Sequence, residues 1–148
     1  MPLFQKSVLN KFIKSQDSTK IESAYQQFSD IFLNEKRQAE IRSMKEEEYQ
    51  DGFLNDLFIK ILGYVIRPND GYNLVREKKN EADSKKADGA ILKNDMPLAV
   101  IELKGTDTTD LDKVTNQGFG YKNNHKECVY VVISNFEKLR FFIHHAVD

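Results

Sequence analysis

The stretch Asp88-Gly-Ala-Ile-Leu92, then Lys93-Asn-Asp-Met-Pro97, then Leu98-Ala-Val-Ile-Glu-Leu-Lys104 decides how this chain is read. In a strand, alternate side chains share a face. Leu98, Val100, Glu102 and Lys104 therefore lie on one side, with Ala99, Ile101 and Leu103 on the other. Both sides are apolar up to Ile101, the pattern of a central strand covered on each face. Asn94-Asp95 separates two apolar runs and reads as a hairpin turn, although it lacks the favoured Asn-Gly pair. A hairpin turned there sets the start of one strand beside the end of the next. Asp88 then approaches Glu102 and Lys104.

Working outward, the chain after Gly63 shows short apolar runs separated by polar turns. Tyr64–Ile66, Tyr72–Val75, Ala90–Leu92, Leu98–Leu103, Val129–Ile133 and Leu139–Ile143 are the expected strands. Before Gly63 the period is helical. A short helix is expected from about Phe4 to Lys14. A second follows Thr19 and Glu22, a possible capping box, with Ile21, Ala24, Tyr25, Phe28, Ile31 and Phe32 as its stripe. A third carries Tyr49, Phe53, Leu54, Leu57, Phe58, Ile61 and Leu62, and Gly63 stands where a helix end favours positive φ. Between Leu103 and Val129 a helix opened by Thr109 or Asp110 places Leu111, Val114, Gln117 and Tyr121 along one side, with Gly118 and Gly120 weakening it. That connection is long enough for a crossover, so the strands it joins are expected to be parallel neighbours. The fold class is α/β, with one mixed sheet flanked by helices.

A glutamate and a lysine at the end of a covered strand face a desolvation cost unless they are paired or hold an ion. Asp88 and Glu102 converging at a strand end suit Mg²⁺, which takes hard oxygen ligands and retains several waters, and the backbone carbonyl of Leu103 offers a further ligand. Lys104 beside them can orient or help deprotonate a water, or stabilise charge developing on a phosphate. Metal, oriented water and a cation together are what phosphodiester hydrolysis requires. The same tripeptide also reads as a plain ion pair, the commoner meaning of Glu-x-Lys at a strand end. Glu77-Lys-Lys79 repeats the spacing but is expected in a polar loop, as is Asp83, the rival of Asp88. His125, His144, His145 and Cys128 have no regular zinc-ligand spacing.

The 148 residues suffice for one domain with its own core, and 40% apolar and 30% charged residues are ordinary for a globular protein. No run approaches the ~20 apolar residues that span a bilayer, so no membrane association is expected. The opening residues lack a secretory pattern, and a single cysteine, Cys128, fits a cytoplasmic setting. A net charge of -1 is low for a nucleic-acid binder, although Lys78, Lys79, Lys85, Lys86 and Lys93 cluster in mid-chain.

The run Lys86-Ala-Asp88-Gly-Ala-Ile-Leu…Val100-Ile-Glu102-Leu-Lys104-Gly resembles the active-site hairpin of the PD-(D/E)xK nuclease superfamily. From Met1 onward, including Lys6-Ser-Val-Leu-Asn-Lys-Phe12, the chain resembles the N-terminal region of type IIG restriction-modification enzymes. In these single polypeptides a nuclease precedes an adenine-specific DNA methyltransferase. Ala87 stands where the motif's name has proline. The resemblance implies a restriction-endonuclease-like core at 46–148, preceded by an N-terminal helical segment at 1–45 packed on it. It implies a Mg²⁺-dependent endonuclease acting on double-stranded DNA, with Asp88 and Glu102 as metal ligands and Lys104 as catalytic cation. It also implies an acid on the helix before the sheet, Glu48 or alternatively Glu47, unless Glu46–Glu48 merely complement the helix dipole. A glutamine and tyrosine one turn apart after the lysine match Gln117 and Tyr121. No Asn-Pro-Pro-Tyr segment is present, so methyltransferase and target-recognition domains are expected in a longer parent chain. The rival expectations are a catalytically silent nuclease-fold module that binds DNA or docks a partner domain, and an interaction domain docking through its helical opening.

Overall fold

The structure is a computed structural model describing residues 4–80 and 85–143. Asp83, Ser84, His144 and His145 lie outside the described residues. Five helices and five strands are found among those described: α1 (Lys6–Ser15), α2 (Ser18–Phe32), α3 (Glu35–Ser43), α4 (Glu46–Phe53), β1 (Leu74–Lys79), β2 (Lys86–Lys93), β3 (Met96–Leu103), α5 (Asp112–Asn123), β4 (Tyr130–Ser134) and β5 (Leu139–Ile143). The strands form one mixed sheet in the order β1-β2-β3-β4-β5. β3 and β4 are parallel and joined across α5, whereas every other neighbouring pair is antiparallel.

The expected hairpin forms. Asn94 and Asp95 both take positive φ, 51° and 63°, and Lys93 pairs with Met96 around them. Asparagine and aspartate tolerate the left-handed region, so this tight turn forms without glycine. The two-sided pattern of β3 is also observed. Ala99, Ile101 and Leu103 pack with Tyr49, Phe53, Leu54 and Phe58, while Val100 packs with Leu111, Val114, Tyr121 and Val131. Two cores, one on each face, thus press β3 between them.

The helical opening differs from its expected form in three respects. Asp17, rather than Thr19, caps α2, accepting from the N–H groups of Thr19 and Lys20. Asp17 is set just before the first turn, where its carboxylate reaches those free donors directly, whereas Thr19 lies inside the helix. The charged stretch after Phe32 forms α3, whose start is capped by Asn34 accepting from Arg37 N–H. Only Ile41 of α3 is buried, so no apolar stripe announces that helix. α1 buries no residue, leaving Val8, Leu9, Phe12 and Ile13 exposed. α4 continues into a π-helical segment, Leu54–Ile61, closed by Gly63 at φ 77°.

Other boundaries shift too. Tyr64–Ile66 forms no strand and contributes a single bridge from Ile66 to Leu74, because the chain turns away at Arg67-Pro68. Glu77–Lys79 belongs to β1 rather than to a loop, and Lys78 and Lys79 pair with Ala87 and Lys86. α5 begins at Asp112, whose N–H is held by the Asp110 carboxylate. Its sheet-facing side carries Val114, Gly118 and Tyr121; Gln117 is exposed. One residue of offset turns a helical side chain by about 100°, which takes Gln117 off the face that Gly118 occupies. A Cβ on Gly118 would lie 2.8 Å from Val131 Cγ1 and 3.4 Å from Ile133. That glycine sets how closely α5 approaches β4.

Candidate functional site

The β2–β3 ladder ends at Gly89↔Ile101, and the next residues of each strand carry the charge. Where the ladder stops, the side chain of Asp88 takes over. Its Oδ2 accepts from the backbone N–H of Leu103 at 2.7 Å. Leu103 thus has a role as donor that its position in the motif did not announce. Glu102 lies one residue earlier on β3, beside Ile133 of β4, and is only 2% exposed. Its Oε1 accepts from Lys104 Nζ at 2.7 Å, while Oε2 is buried with no hydrogen-bond partner among the described residues. A buried carboxylate oxygen left in this state is costly.

The helix before the sheet contributes through a different glutamate from the one expected. Glu48 is exposed and turned back on its own helix, where its carboxylate accepts from the N–H of Lys45. That is half of a capping box, and it removes Glu48 from the site. Glu47 is exposed as well. Glu46 is the acid that faces the site, with Oε1 3.6 Å from Lys104 Nζ. Helical geometry explains the choice. Glu46 precedes the buried Tyr49 by three positions and Phe53 by seven, and so shares their face, whereas Glu48 is turned about 100° from Tyr49. That spacing was the available signal. Gly105 helps to bring the elements together, since a Cβ there would sit 3.5 Å from Glu46 N and 2.7 Å from Asp107 Oδ1. Gln50, one turn after Glu46, was not anticipated. Its Nε2 donates to Glu46 Oε1 at 3.0 Å and to Asp88 Oδ1 at 3.3 Å.

Three carboxylates therefore surround one ammonium group. Burial, followed by the charge of Asp88, pushes the Glu102 carboxyl up to about 7 despite the opposing pull of Lys104. Burial also raises Asp88, against the Leu103 N–H and Lys104, which favour its charged form. For Lys104 burial alone would favour the neutral amine, but Glu102, Glu46 and Asp88 together raise it. In this state Lys104 is a cation and a hydrogen-bond donor, not a base.

Gln117 and Tyr121 hydrogen-bond each other at 3.1 Å and line a polar cleft of about 440 Å³ with Asn80, Lys85, Asn116 and Asn124. Asp88 and Glu102 are not among its walls. An apolar cavity of about 480 Å³, walled by Phe28, Phe32, Ile41, Phe53, Leu57 and Phe136, also lies apart from them. His125 and Cys128 are both buried, and among the described residues no set of three His, Cys, Asp or Glu side chains forms a ready metal cage. Asp88 and Glu102 still fit a hard divalent ion that keeps most of its waters, because Glu102 offers an uncommitted buried oxygen beside a second carboxylate. Among the described residues no helix is long and apolar enough to cross a membrane. No protein-family model, curated protein or solved structure matches this chain at a significant level.

Proposed function

We propose that this chain is a Mg²⁺-dependent endonuclease domain of the PD-(D/E)xK kind, built on a restriction-endonuclease-like core and hydrolysing DNA phosphodiester bonds. The observation that carries the reading is the buried, unpartnered Oε2 of Glu102, set beside Asp88 with Lys104 on the same strand end. Asp88 and Glu102 would hold the ion, with the carbonyl of Leu103 as a further ligand. When bound, the ion supplies a more acidic water and neutralises charge on the phosphate. Asp88 is oriented for this by the Leu103 N–H, which fixes one of its oxygens. Lys104, a cation, donates to a water or to a non-bridging phosphate oxygen and stabilises charge as it develops there. Glu46 restrains Lys104 from the α4 side.

The resemblance to type IIG enzymes supports double-stranded DNA as substrate. It also supports methyltransferase and target-recognition domains in a longer parent chain, with this domain as the cleavage module. The proposal is tested by nicking of supercoiled DNA by this chain in Mg²⁺ or Mn²⁺ against EDTA, with Asp88→Asn and Lys104→Ala alongside. Metal-dependent nicking lost in both variants supports it. A salt-sensitive DNA complex indifferent to metal, with no cleavage, would instead identify a silent module.

A further inference from the structure

We propose that Gln50 is the positioning residue that holds Asp88 ready for the metal ion and links it to Glu46 and, through Glu46, to Lys104. The inference rests on the metal-site reading above. Its basis is a single side-chain nitrogen that donates to carboxylates from two different elements, Glu46 on α4 and Asp88 on β2. A carboxamide nitrogen carries two N–H groups, enough to serve both acceptors.

The chemical type suits the position. A lysine or arginine there would hold the same oxygens, but its charge would compete with an incoming cation. A carboxylate would repel Asp88 and Glu46. A neutral donor orients both acids and leaves their negative charge available. The partners of Asp88 are then complementary, with Leu103 N–H on Oδ2 at 2.7 Å and Gln50 on Oδ1 at the longer distance of 3.3 Å. The support behind Gln50 is buried and aromatic. Its neighbour Tyr49 packs edge-on against Phe136 at 5.1 Å, and Phe53 packs against Phe136 at 5.2 Å. These contacts fix the rotation of α4 and so the direction in which Gln50 projects. The Glu46–Gln50 bond, between residues four apart on the helix, restrains the long amide side chain further.

Orienting partners of this kind change metal affinity by about 10- to 100-fold when removed. The test is Mn²⁺ binding by calorimetry, at one pH, to the wild type, to Gln50→Met and to the double variant Asp88→Ala, Glu102→Ala. Methionine keeps the length of glutamine and removes both donors. Gln50→Ala serves as a second variant, and unchanged melting temperatures show that each remains folded. The expected result is no binding by the double variant and binding about tenfold weaker in both Gln50 variants. In cleavage the metal concentration for half-maximal rate should rise by the same factor, with the rate at saturating metal restored. Gln50 variants that bind Mn²⁺ as tightly as the wild type would overturn the inference and leave the nuclease reading standing. A wild type that binds no Mn²⁺, alone or with DNA, would overturn both.

Discussion

Two acidic side chains are buried almost equally in this protein, Asp56 at 3% exposure and Glu102 at 2%, and each has a lysine within 2.8 Å. Their surroundings are otherwise opposite. Asp56, in the π-helical segment, is bonded by Arg37, by Lys60 at 2.8 Å and by the Tyr49 hydroxyl at 2.9 Å. Burial would raise its carboxyl, but Lys60, Tyr49 and Arg37 outweigh burial and hold it below the ordinary range. Glu102 has one cation, a second acid nearby and an oxygen without a partner, and its carboxyl rises to about 7. The first arrangement ties α3 to the core. The second resembles a socket, in which a group is held in a costly state that an ion would relieve. Burial and an ion pair are common to both acids; the two differ in whether the remaining carboxylate oxygen has a partner.

This contrast can be broken by substitution, and under the proposed nuclease function the largest effects should fall on cleavage. Lys104→Ala removes the only cation at the Asp88–Glu102 site among the described residues and should lower the cleavage rate by about 10²- to 10³-fold. Its melting temperature at pH 8 should fall as well, because the lysine side chain is only 21% exposed and its loss leaves the buried Glu102 carboxylate without a cation. Next comes Asp56→Ala, which leaves a buried tyrosine hydroxyl and two cations without their acceptor. Denaturant unfolding should show a loss of about 2–4 kcal/mol, tempered because Arg37 and Lys60 can both reach water. Cleavage by the remaining folded fraction should be normal.

Glu102→Gln should act in the opposite direction on stability. A folded-state carboxyl raised from 4.5 to about 7 favours folding while it is protonated. That contribution is complete below about 4.5 and is lost as pH rises through about 7, where the wild type must bury a charge. The glutamine variant should therefore gain about 1–2 kcal/mol over the wild type at pH 8, narrowing toward nothing below about 4.5. Smallest is Glu48→Ala, which removes the acceptor at the start of α4. It should cost about 0.5–1 kcal/mol of stability and leave cleavage unchanged. A large loss of cleavage in this variant would return Glu48 to the site.

Much of this architecture was legible in the chain because it rests on period and turn chemistry. The alternation through Leu98–Lys104 and the turn at Asn94-Asp95 were enough to bring Asp88, Glu102 and Lys104 together. The crossover length foretold the parallel β3–β4 pair. What was hidden depends on tertiary packing. α3 has almost no apolar face to show, and in the run Glu46–Glu48 only the buried face of Tyr49 and Phe53 singles out Glu46 from Glu47 and Glu48. Gly118 reads as a helix weakener until β4 is seen close behind it, and Gln117 belonged to the stripe only by loose spacing. Gln50 carries no local mark at all, because its partners lie four residues and 38 residues away.

The most direct test of the central claim is the unfolding free energy of the wild type and Glu102→Gln, measured by denaturant at pH 8 in EDTA and again in Mn²⁺. The glutamine variant should be the more stable in EDTA, and Mn²⁺ should stabilise the wild type alone, by about 2.7 kcal/mol at a hundred times its dissociation constant. A wild type already the more stable in EDTA, or equal stabilisation of both proteins by Mn²⁺, would contradict the claim.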